Sequence, residues 1–272
     1  MERIRLGWYI IDVYSHEGGH MKIGSSAPLA ALVGLFAIQG AVPTVAAAQS
    51  GGDGFIFGAP RTAITVYGGF AAPRASSDLW QFSMQELTLG KSDFLSGTVG
   101  GDIAIRLADR FDVVLGVSSS SSTSHSEFRD WVDNNDLPIE QVTTFRRVPI
   151  TASLRYYPFA RGQRVGSIAW IPTRFVPFAS VGVGTMSYRF DQVGDFIDYG
   201  TLDVFPDRYE SKGRTGLAQG SVGASYGLTN HLQLTGELRY LSARGRLSGD
   251  FQGFKPLDLS GASSSVGLTL RF

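Results

Sequence analysis

The 272-residue sequence contains no cysteine and carries no net charge, with 24 basic and 24 acidic side chains. Lack of cysteine excludes disulfides, thiol catalysis and cysteine-ligated metals. Zero net charge gives no reason to expect a nucleic-acid partner. A long helical hydrophobic period is also absent after residue 48, which disfavours an all-α fold.

The N-terminal region has the order of a secretory signal peptide. Met21 and Lys22 give a basic start, an apolar run follows from residue 27, and small residues end it at Ala48. A transmembrane anchor is the alternative, but glycine, glutamine and proline interrupt the apolar run. We therefore expect a signal peptide at 21–48 and export, with 1–20 as an upstream extension or a mis-assigned start and 49–61 as an N-terminal segment.

Eight later segments alternate apolar and polar residues with a period of two, as β-strands do. In the second of them, Val99, Ile103 and Ile105 fall on one face, and polar residues fall on the other. Several segments reach the roughly 9 to 11 residues that a tilted membrane-spanning strand needs. The eight segments are 62–71, 95–107, 111–119, 148–157, 175–188, 217–228, 231–241 and 263–272.

The connections between these segments alternate short and long. Those at 108–110 and 229–230 are short, whereas 72–94, 120–142, 190–212 and 246–258 are long. Outer-membrane barrels have short periplasmic turns and long outer loops. The pattern predicts an all-β fold at 62–272, an eight-stranded antiparallel up-and-down transmembrane β-barrel. A soluble sandwich or lipocalin-like barrel is the alternative.

Charged residues on the polar face are the candidate site. In a membrane barrel they face a narrow interior, where charges of both signs must pair because unpaired buried charge is costly. We expect an ion-paired structural plug, with a conducting or ligand-binding path as the alternative. Inward glycines such as Gly182, Gly184, Gly223 and Gly267 would make room for the arginines. The predicted interior cluster is Asp102, Arg106, Arg155, Glu237, Arg239 and Arg271.

Three further patterns carry expectations about the barrel. Pro149 and Pro177 lie within or near strands, where a missing N–H donor predicts bulges or strand ends. Carboxylates crowd 127–140 and 191–210, which fits simple solvation or divalent cations that bridge lipopolysaccharide phosphates. Aromatics near strand ends predict two interfacial girdles, namely Tyr156, Tyr157, Phe159, Trp170 and Phe175 on one side and Tyr188, Phe190, Tyr209 and Phe251 on the other.

The last eight residues carry the most specific motif. Ser265, Gly267, Leu270 and Phe272 resemble the C-terminal assembly signal of outer-membrane β-barrels. With the signal peptide and eight strands, the chain resembles small outer-membrane barrels of the OmpA, OmpX and OmpW type. The resemblance implies insertion by the barrel-assembly machinery, and surroundings of outer-membrane lipid and lipopolysaccharide in a Gram-negative-type envelope.

Catalytic and metal-binding patterns are weak. Within the predicted mature chain, the one histidine beside a serine and an acid is His125, with Ser126 and Glu127, in a serine-rich stretch where such neighbours arise by chance. We therefore expect no enzymatic activity, no metal and no cofactor. The predicted role is structural or surface-interacting, with a plugged polar interior and long outer loops. A porin-like, OmpW-like conduit for small solutes, hydrophobic ones included, is the alternative.

Overall fold

The computed structural model describes residues 2–6, 9–13, 55–198 and 200–272. The predicted signal peptide at 21–48 lies outside these residues. Upstream of it, Glu2–Leu6 and Tyr9–Val13 pair as an antiparallel hairpin. The proposed boundaries at residues 20, 48 and 61 therefore stay predictions.

Eight antiparallel strands form the body of the chain, and each pairs with both of its neighbours in sequence. The last strand pairs with the first, from Gly261↔Pro73 to Arg271↔Ala63, so the sheet closes into a barrel. This architecture confirms the predicted fold class. The strands are β1 (Thr62–Pro73), β2 (Ser96–Ala108), β3 (Phe111–Val132), β4 (Pro138–Tyr156), β5 (Phe175–Ile197), β6 (Val204–Gly227), β7 (Leu232–Gly245) and β8 (Gly261–Arg271).

An apolar belt covers the outside of the barrel. Along β8, Val266, Leu268 and Leu270 are exposed on the outer surface, and the residues between them face inward. A water-soluble barrel would place its apolar residues inside. The pattern is therefore that of a membrane-spanning barrel. The belt further includes Ile64, Val66, Phe70, Val99, Ile103, Ile105, Leu115, Val117, Ile150, Leu154, Val181, Val183, Val222, Leu234 and Leu238.

At one end, β3 to β6 extend well beyond the belt. β3 and β4 are joined by 133–137, and β5 and β6 by 198–203, so the expectation of long loops at 120–142 and 190–212 is wrong. The serine run at 118–122 has no apolar residue on either face, so the alternation that marks a strand is missing there. The Asp133 carboxylate accepts the Asn135 and Leu137 N–H groups, each at 2.8 Å, and these bonds lower the pKa of Asp133 in the first turn.

The two remaining long connections, 74–95 and 246–260, fold into this same end and close it. We call it the plug end. The first connection contains helix α1 (Asp78–Glu86) and a 3₁₀ turn, Lys91–Phe94, and the second contains a 3₁₀ turn, Gly249–Phe251, and a short strand, Leu257–Asp258. Their apolar side chains pack against inward-facing residues of the strand extensions to form a core. No helix among the described residues is long and apolar enough to span a bilayer.

This core overturns half of the girdle prediction. Tyr188, Phe190, Tyr209 and Phe251 are all buried in the core and do not face lipid. The expectation that they lie near strand ends is also wrong, because Tyr188, Phe190 and Tyr209 lie within strands that extend past the belt and Phe251 lies in a connection. Of the other predicted girdle, Tyr156, Phe159 and Phe175 are exposed, whereas Tyr157 and Trp170 are buried.

The opposite end, which we call the turn end, holds the short turns and a small sheet. The connection between β4 and β5 forms a hairpin of Gly162–Val165 and Ala169–Pro172, and Ile56–Phe57 pairs with its second strand. Trp170 of this hairpin is buried, and the Arg271 guanidinium lies 5.6 Å from its ring centroid. The small sheet therefore packs against the interior of the barrel at this end.

The two prolines are accommodated differently. Pro177 lies at the start of β5. There β5 already pairs with β6, but its pairing with β4 begins only at Ala179. That matches the expected strand end. Pro149 lies within β4, where pairing with β3 lapses between Val117↔Ile150 and Ser120↔Arg147 without any change of register. The expected bulge is therefore wrong at Pro149, because the missing donor only interrupts the ladder on one side.

Inward glycines make room for aromatic rings. A Cβ on Gly223 would lie 2.5 Å from the Phe178 ring and 2.4 Å from the Gly236 carbonyl oxygen. A Cβ on Gly267 would lie 2.6 Å from the Tyr67 Cβ. Arginines then stack on these rings, so the glycines create space for the arginines only indirectly.

Replacing Gly223 with valine should lower the folded fraction of the protein, because the new side chain would collide with backbone and ring atoms. Overpacking of this kind costs about 1–3 kcal/mol or more. The matched control is Gly220→Val on the same strand, where a Cβ faces outward and meets only the Ser180 carbonyl oxygen at 3.9 Å. The check is the folded fraction after refolding into detergent, read from the migration of unboiled samples on gels. Equal folded fractions for the two variants would contradict the close packing at Gly223.

Candidate functional site in the barrel interior

Four of the predicted interior charges form a ladder across the lumen. Arg155 Nη2 lies 3.1 Å from Glu237 Oε2, and Arg239 Nη2 lies 2.8 Å from Glu237 Oε1. Arg239 Nη2 also lies 3.6 Å from Asp102 Oδ2. All four side chains are largely buried, and they come from β2, β4 and β7. The ladder therefore connects separate parts of the barrel wall through its interior.

Aromatic rings support both arginines of the ladder. The Arg155 guanidinium lies 4.1 Å from the Phe178 ring centroid, and the Arg239 guanidinium lies 5.6 Å from that of Tyr67. Arg239 Nη1 also donates to the Tyr67 hydroxyl at 3.3 Å. Each arginine is thus fixed by a ring on one side and a carboxylate on another, which holds the ladder in one arrangement.

The other two predicted residues do not join the ladder. Arg106 lies at the turn end, where its Nη2 is 2.8 Å from the Asp109 carboxylate, an exposed partner. Arg271 is buried but donates from Nε to the Asn230 carbonyl oxygen at 2.7 Å. Both residues have the inward parity of their strands, but their height along the barrel separates them from the ladder.

A second cluster at the turn end was not predicted. Arg161 Nη1 donates to both Asp112 carboxylate oxygens, at 2.7 and 2.8 Å, and its guanidinium lies 4.4 Å from the Tyr157 ring centroid. The Tyr157 hydroxyl donates to Asp112 Oδ2 at 2.9 Å. Asp112 shares the inward parity of its strand, so alternation could have revealed it. Arg161 belongs to an irregular connection, and no sequence period places it there.

Between these charges the interior is filled by hydroxyl groups. Thr269 lies within hydrogen-bond distance of Thr65 at 2.9 Å and of Thr235 at 2.8 Å, and Ser225 lies 2.9 Å from Thr235. Gln219 Nε2 donates to Ser153 Oγ at 2.8 Å. These hydroxyl and amide groups therefore have partners among themselves, as burial away from water requires.

The plug end is closed by an aromatic core around Trp80, a fully buried residue of α1. Its ring centroid lies 4.4 Å from that of Phe94, 4.9 Å from Phe145 and 5.3 Å from Phe190. Trp80 Nε1 donates to the Asp258 carbonyl oxygen at 3.1 Å, which ties the two plugging connections together. In the same core, burial and nearby carboxylates raise the pKa of the Tyr209 phenol.

Three interior cavities among the described residues are small and separate from one another. One of about 60 Å³ lies at the turn end beside Arg271, one of about 30 Å³ lies between the ladder and the plug, and one of about 20 Å³ lies within the apolar core. The three share no lining residue. Two larger apolar grooves lie on the outer surface, along the belt near Phe70, Val222 and Leu238.

The arrangement of histidine, serine and acid is unfavourable for catalysis. His125 is exposed on the outer face of β3, whereas Ser126 is buried and its hydroxyl donates to the Gln141 carbonyl oxygen at 3.5 Å. Successive side chains of a strand point to opposite faces, so His125 cannot activate Ser126. Within the described part of the chain, no group of three or more metal-ligating side chains could hold an ion.

Replacing Glu237 with glutamine should destabilise the barrel strongly, because Arg155 and Arg239 would both lose a buried carboxylate. Breaking a buried pair costs about 3–5 kcal/mol. The control is Asp109→Asn, which removes the exposed pair with Arg106 and should cost about 0–1 kcal/mol. The measurement is the midpoint of urea unfolding in detergent. Similar midpoints for the two variants would show that the ladder contributes little.

Comparison with known proteins gives structural likeness without sequence similarity. No family model matches the chain, and no curated protein sequence is significantly similar to it. Among solved structures, Neisserial surface protein A has a TM-score of 0.43 at 13% identity, with 78% of this chain and 96% of that chain covered. Outer membrane protein OprG from Pseudomonas aeruginosa has a TM-score of 0.42 at 15% identity, with coverages of 79% and 98%.

The outer membrane protease OmpT from Escherichia coli is a further match, with a TM-score of 0.34 at 11% identity and coverages of 79% and 98%. TM-scores and sequence identities this low do not show a shared function. A closed ring of eight strands, an apolar outer belt and a polar interior are the features of bacterial outer-membrane barrels. The chain is an eight-stranded outer-membrane β-barrel in architecture, and its location is the outer membrane.

Proposed function

We propose that the protein is a non-enzymatic outer-membrane barrel whose interior is plugged and whose role is structural or surface-interacting. The plugged interior is supported mainly by the ladder from Arg155 through Glu237 and Arg239 to Asp102, which crosses the lumen. The aromatic core around Trp80 and the Arg161–Asp112 pair obstruct the two ends independently. Because these three obstructions use different residues, loss of one would leave the others in place.

Absence of enzymatic activity is part of the same proposal. It is supported by the opposite orientation of His125 and Ser126 on β3. His231, the other histidine of the barrel, lies at the turn end with Nδ1 3.1 Å from the Arg271 carbonyl oxygen. Neither ring lies beside a buried carboxylate and a nucleophile, the arrangement that a serine hydrolase needs.

A conduit for small solutes is the second candidate, by analogy with OmpW-type barrels. It is favoured by the apolar composition of the plug end, where a cavity is lined by Phe82, Phe196, Tyr209 and Phe251. A hydrophobic solute would enter through such a lining more readily than an ion. The conduit requires the core to open, whereas the plugged barrel does not.

Lipopolysaccharide is the proposed lipid partner at the plug end, which we place outside the cell. Lys212, Arg214 and Arg244 point outward on β6 and β7, beyond the apolar belt, and all three are exposed. Among the described residues, Arg214 and Arg244 form no ion pair, whereas Lys212 Nζ lies 3.2 Å from Glu210. Exposed arginines beside a lipid surface are suited to bidentate contact with phosphate groups.

Assembly by the barrel-insertion machinery is proposed for the C-terminal motif. Phe272 N–H donates to the Thr62 carbonyl oxygen at 2.8 Å, and its own carbonyl oxygen accepts from Arg61 N–H at 2.7 Å. Leu270 and Phe272 point outward, whereas Ser265 and Gly267 face the interior. The apolar residues of the motif are therefore accessible to another protein while the strand closes the barrel.

Purified protein in planar bilayers should show no reproducible single-channel steps, because the ladder and both end closures obstruct the lumen. The measurement is conductance in symmetrical potassium chloride, with an open porin as a positive control. Reproducible steps would contradict the plugged barrel. Loss of such steps on substitution of Arg155 or Glu237 would locate the path through the ladder and support the conduit.

Phe272→Ala should reduce the amount of protein in the outer membrane several-fold, because the terminal aromatic is the proposed recognition element. Phe175→Ala is the matched control, since both rings face outward and each is 58% exposed. Both variants should refold equally well in detergent without the machinery. Equal outer-membrane levels of the two variants in cells would refute the assembly role.

A further inference from the structure

Two arginines inside the barrel have no carboxylate partner. Besides Arg106 at the turn end, five arginines face the interior, and three of them pair with carboxylates of the barrel wall. The arginines are Arg147, Arg155, Arg161, Arg239 and Arg271, and the carboxylates are Asp102, Asp112 and Glu237. Arg155, Arg161 and Arg239 each pair with at least one carboxylate. Within the described part of the chain, Arg147 and Arg271 form no ion pair, so no carboxylate in contact neutralises either charge.

Arg147 is the more deeply buried of the two and was not predicted. It is 3% exposed, on the inward face of β4 between the ladder and the aromatic core. Its Nη1 donates to the Leu259 carbonyl oxygen at 3.2 Å, and its guanidinium lies 5.3 Å from the Phe145 ring centroid. A guanidinium has five N–H donors, and one backbone carbonyl does not compensate a buried charge.

A cavity is lined by Arg147, and hydroxyl and amide side chains form part of its wall beside apolar ones. The cavity has a volume of about 30 Å³ and lies beside Arg147 and Arg239. A water-sized occupant needs about 10–15 Å³, so the cavity accepts one or two small species but not a phosphate or a carboxylic acid. The hydrogen-bonding side chains around it are those of Tyr67, Thr98, Ser118, Ser120, Gln219, Ser263 and Ser265.

We propose that this cavity binds one small monovalent anion of chloride size, held by Arg147 and the surrounding hydroxyl groups. Arg239 contributes little to the net charge of the site, because Glu237 and Asp102 already neutralise the ladder. Arg147 has no such counterion, and water in the cavity would solvate it without neutralising it. Arg271 differs because its cavity lies at the turn end, near the exposed Arg61, where solvent ions screen the charge.

Anion binding should stabilise the folded barrel by mass action, since the unfolded chain has no such cavity. The test is the thermal unfolding midpoint of the full chain in detergent, in sodium chloride, sodium bromide and sodium gluconate at equal ionic strength. The midpoint should rise by several degrees with chloride or bromide concentration. It should not rise with gluconate, which is too large for the cavity. Equal midpoints in all three salts would overturn the proposal.

The variant Arg147→Met should lose this halide dependence, whatever its own unfolding midpoint. Arg146→Met is the matched control, because Arg146 is the preceding residue of β4 and is exposed on the outer face. It should keep the full halide dependence. If both variants keep it, the anion does not bind at Arg147 and the proposal is wrong.

Crystals grown in bromide provide a measurement that does not require a folded variant. Anomalous density from bromide should appear in the cavity beside the Arg147 guanidinium in the wild-type protein. Bromide density confined to the outer surface or to the turn end would overturn the assignment to this cavity.

Discussion

Closure of the sheet through pairing of β8 with β1 is the constraint on which the rest of the structure depends. In hydrocarbon every backbone N–H and C=O must be paired within the protein, and a closed barrel achieves this without an edge. Eight strands leave an interior that side chains must fill. Because the outer face is apolar, the polar half of each strand points inward. A filled, polar and charge-paired interior is therefore a consequence of closure.

The interior is filled in layers that depend on one another. Gly223 lets the Phe178 ring lie against the wall, Arg155 stacks on that ring, and Glu237 pairs with the arginine. Tyr67 and Arg239 repeat the arrangement on the other side. The charge of Arg147 is not paired by this packing, and it lies beside a small cavity. Obstruction of the lumen and affinity for a small anion are thus two results of the same composition.

Much of the barrel could be predicted from the sequence, because a period of two is the direct signature of a strand with two different environments. The parity of Arg155, Glu237 and Arg239 followed from it. The extensions of β3 to β6 could not be predicted, since polar residues on both faces erase the period at 118–122. The sequence predicted a lipid-facing girdle where the structure has an aromatic core. The position of a ring along a strand does not show whether the ring faces lipid or a core inside the strand extensions. Arg161 reaches the interior from an irregular connection, where no period applies.

The barrel has an apolar outer face and a polar interior, and because the chain contains no cysteine, single labelled cysteines can measure this arrangement directly. Single cysteines at 265, 266, 268, 269 and 270 of β8 would carry nitroxide labels in reconstituted bilayers, with Gly267 left unchanged because a Cβ there would collide with Tyr67. Accessibility to oxygen, which concentrates in lipid, should alternate, high at 266, 268 and 270 and low at 265 and 269. Uniform accessibility to a water-soluble relaxing agent at all these positions would contradict a membrane-spanning barrel.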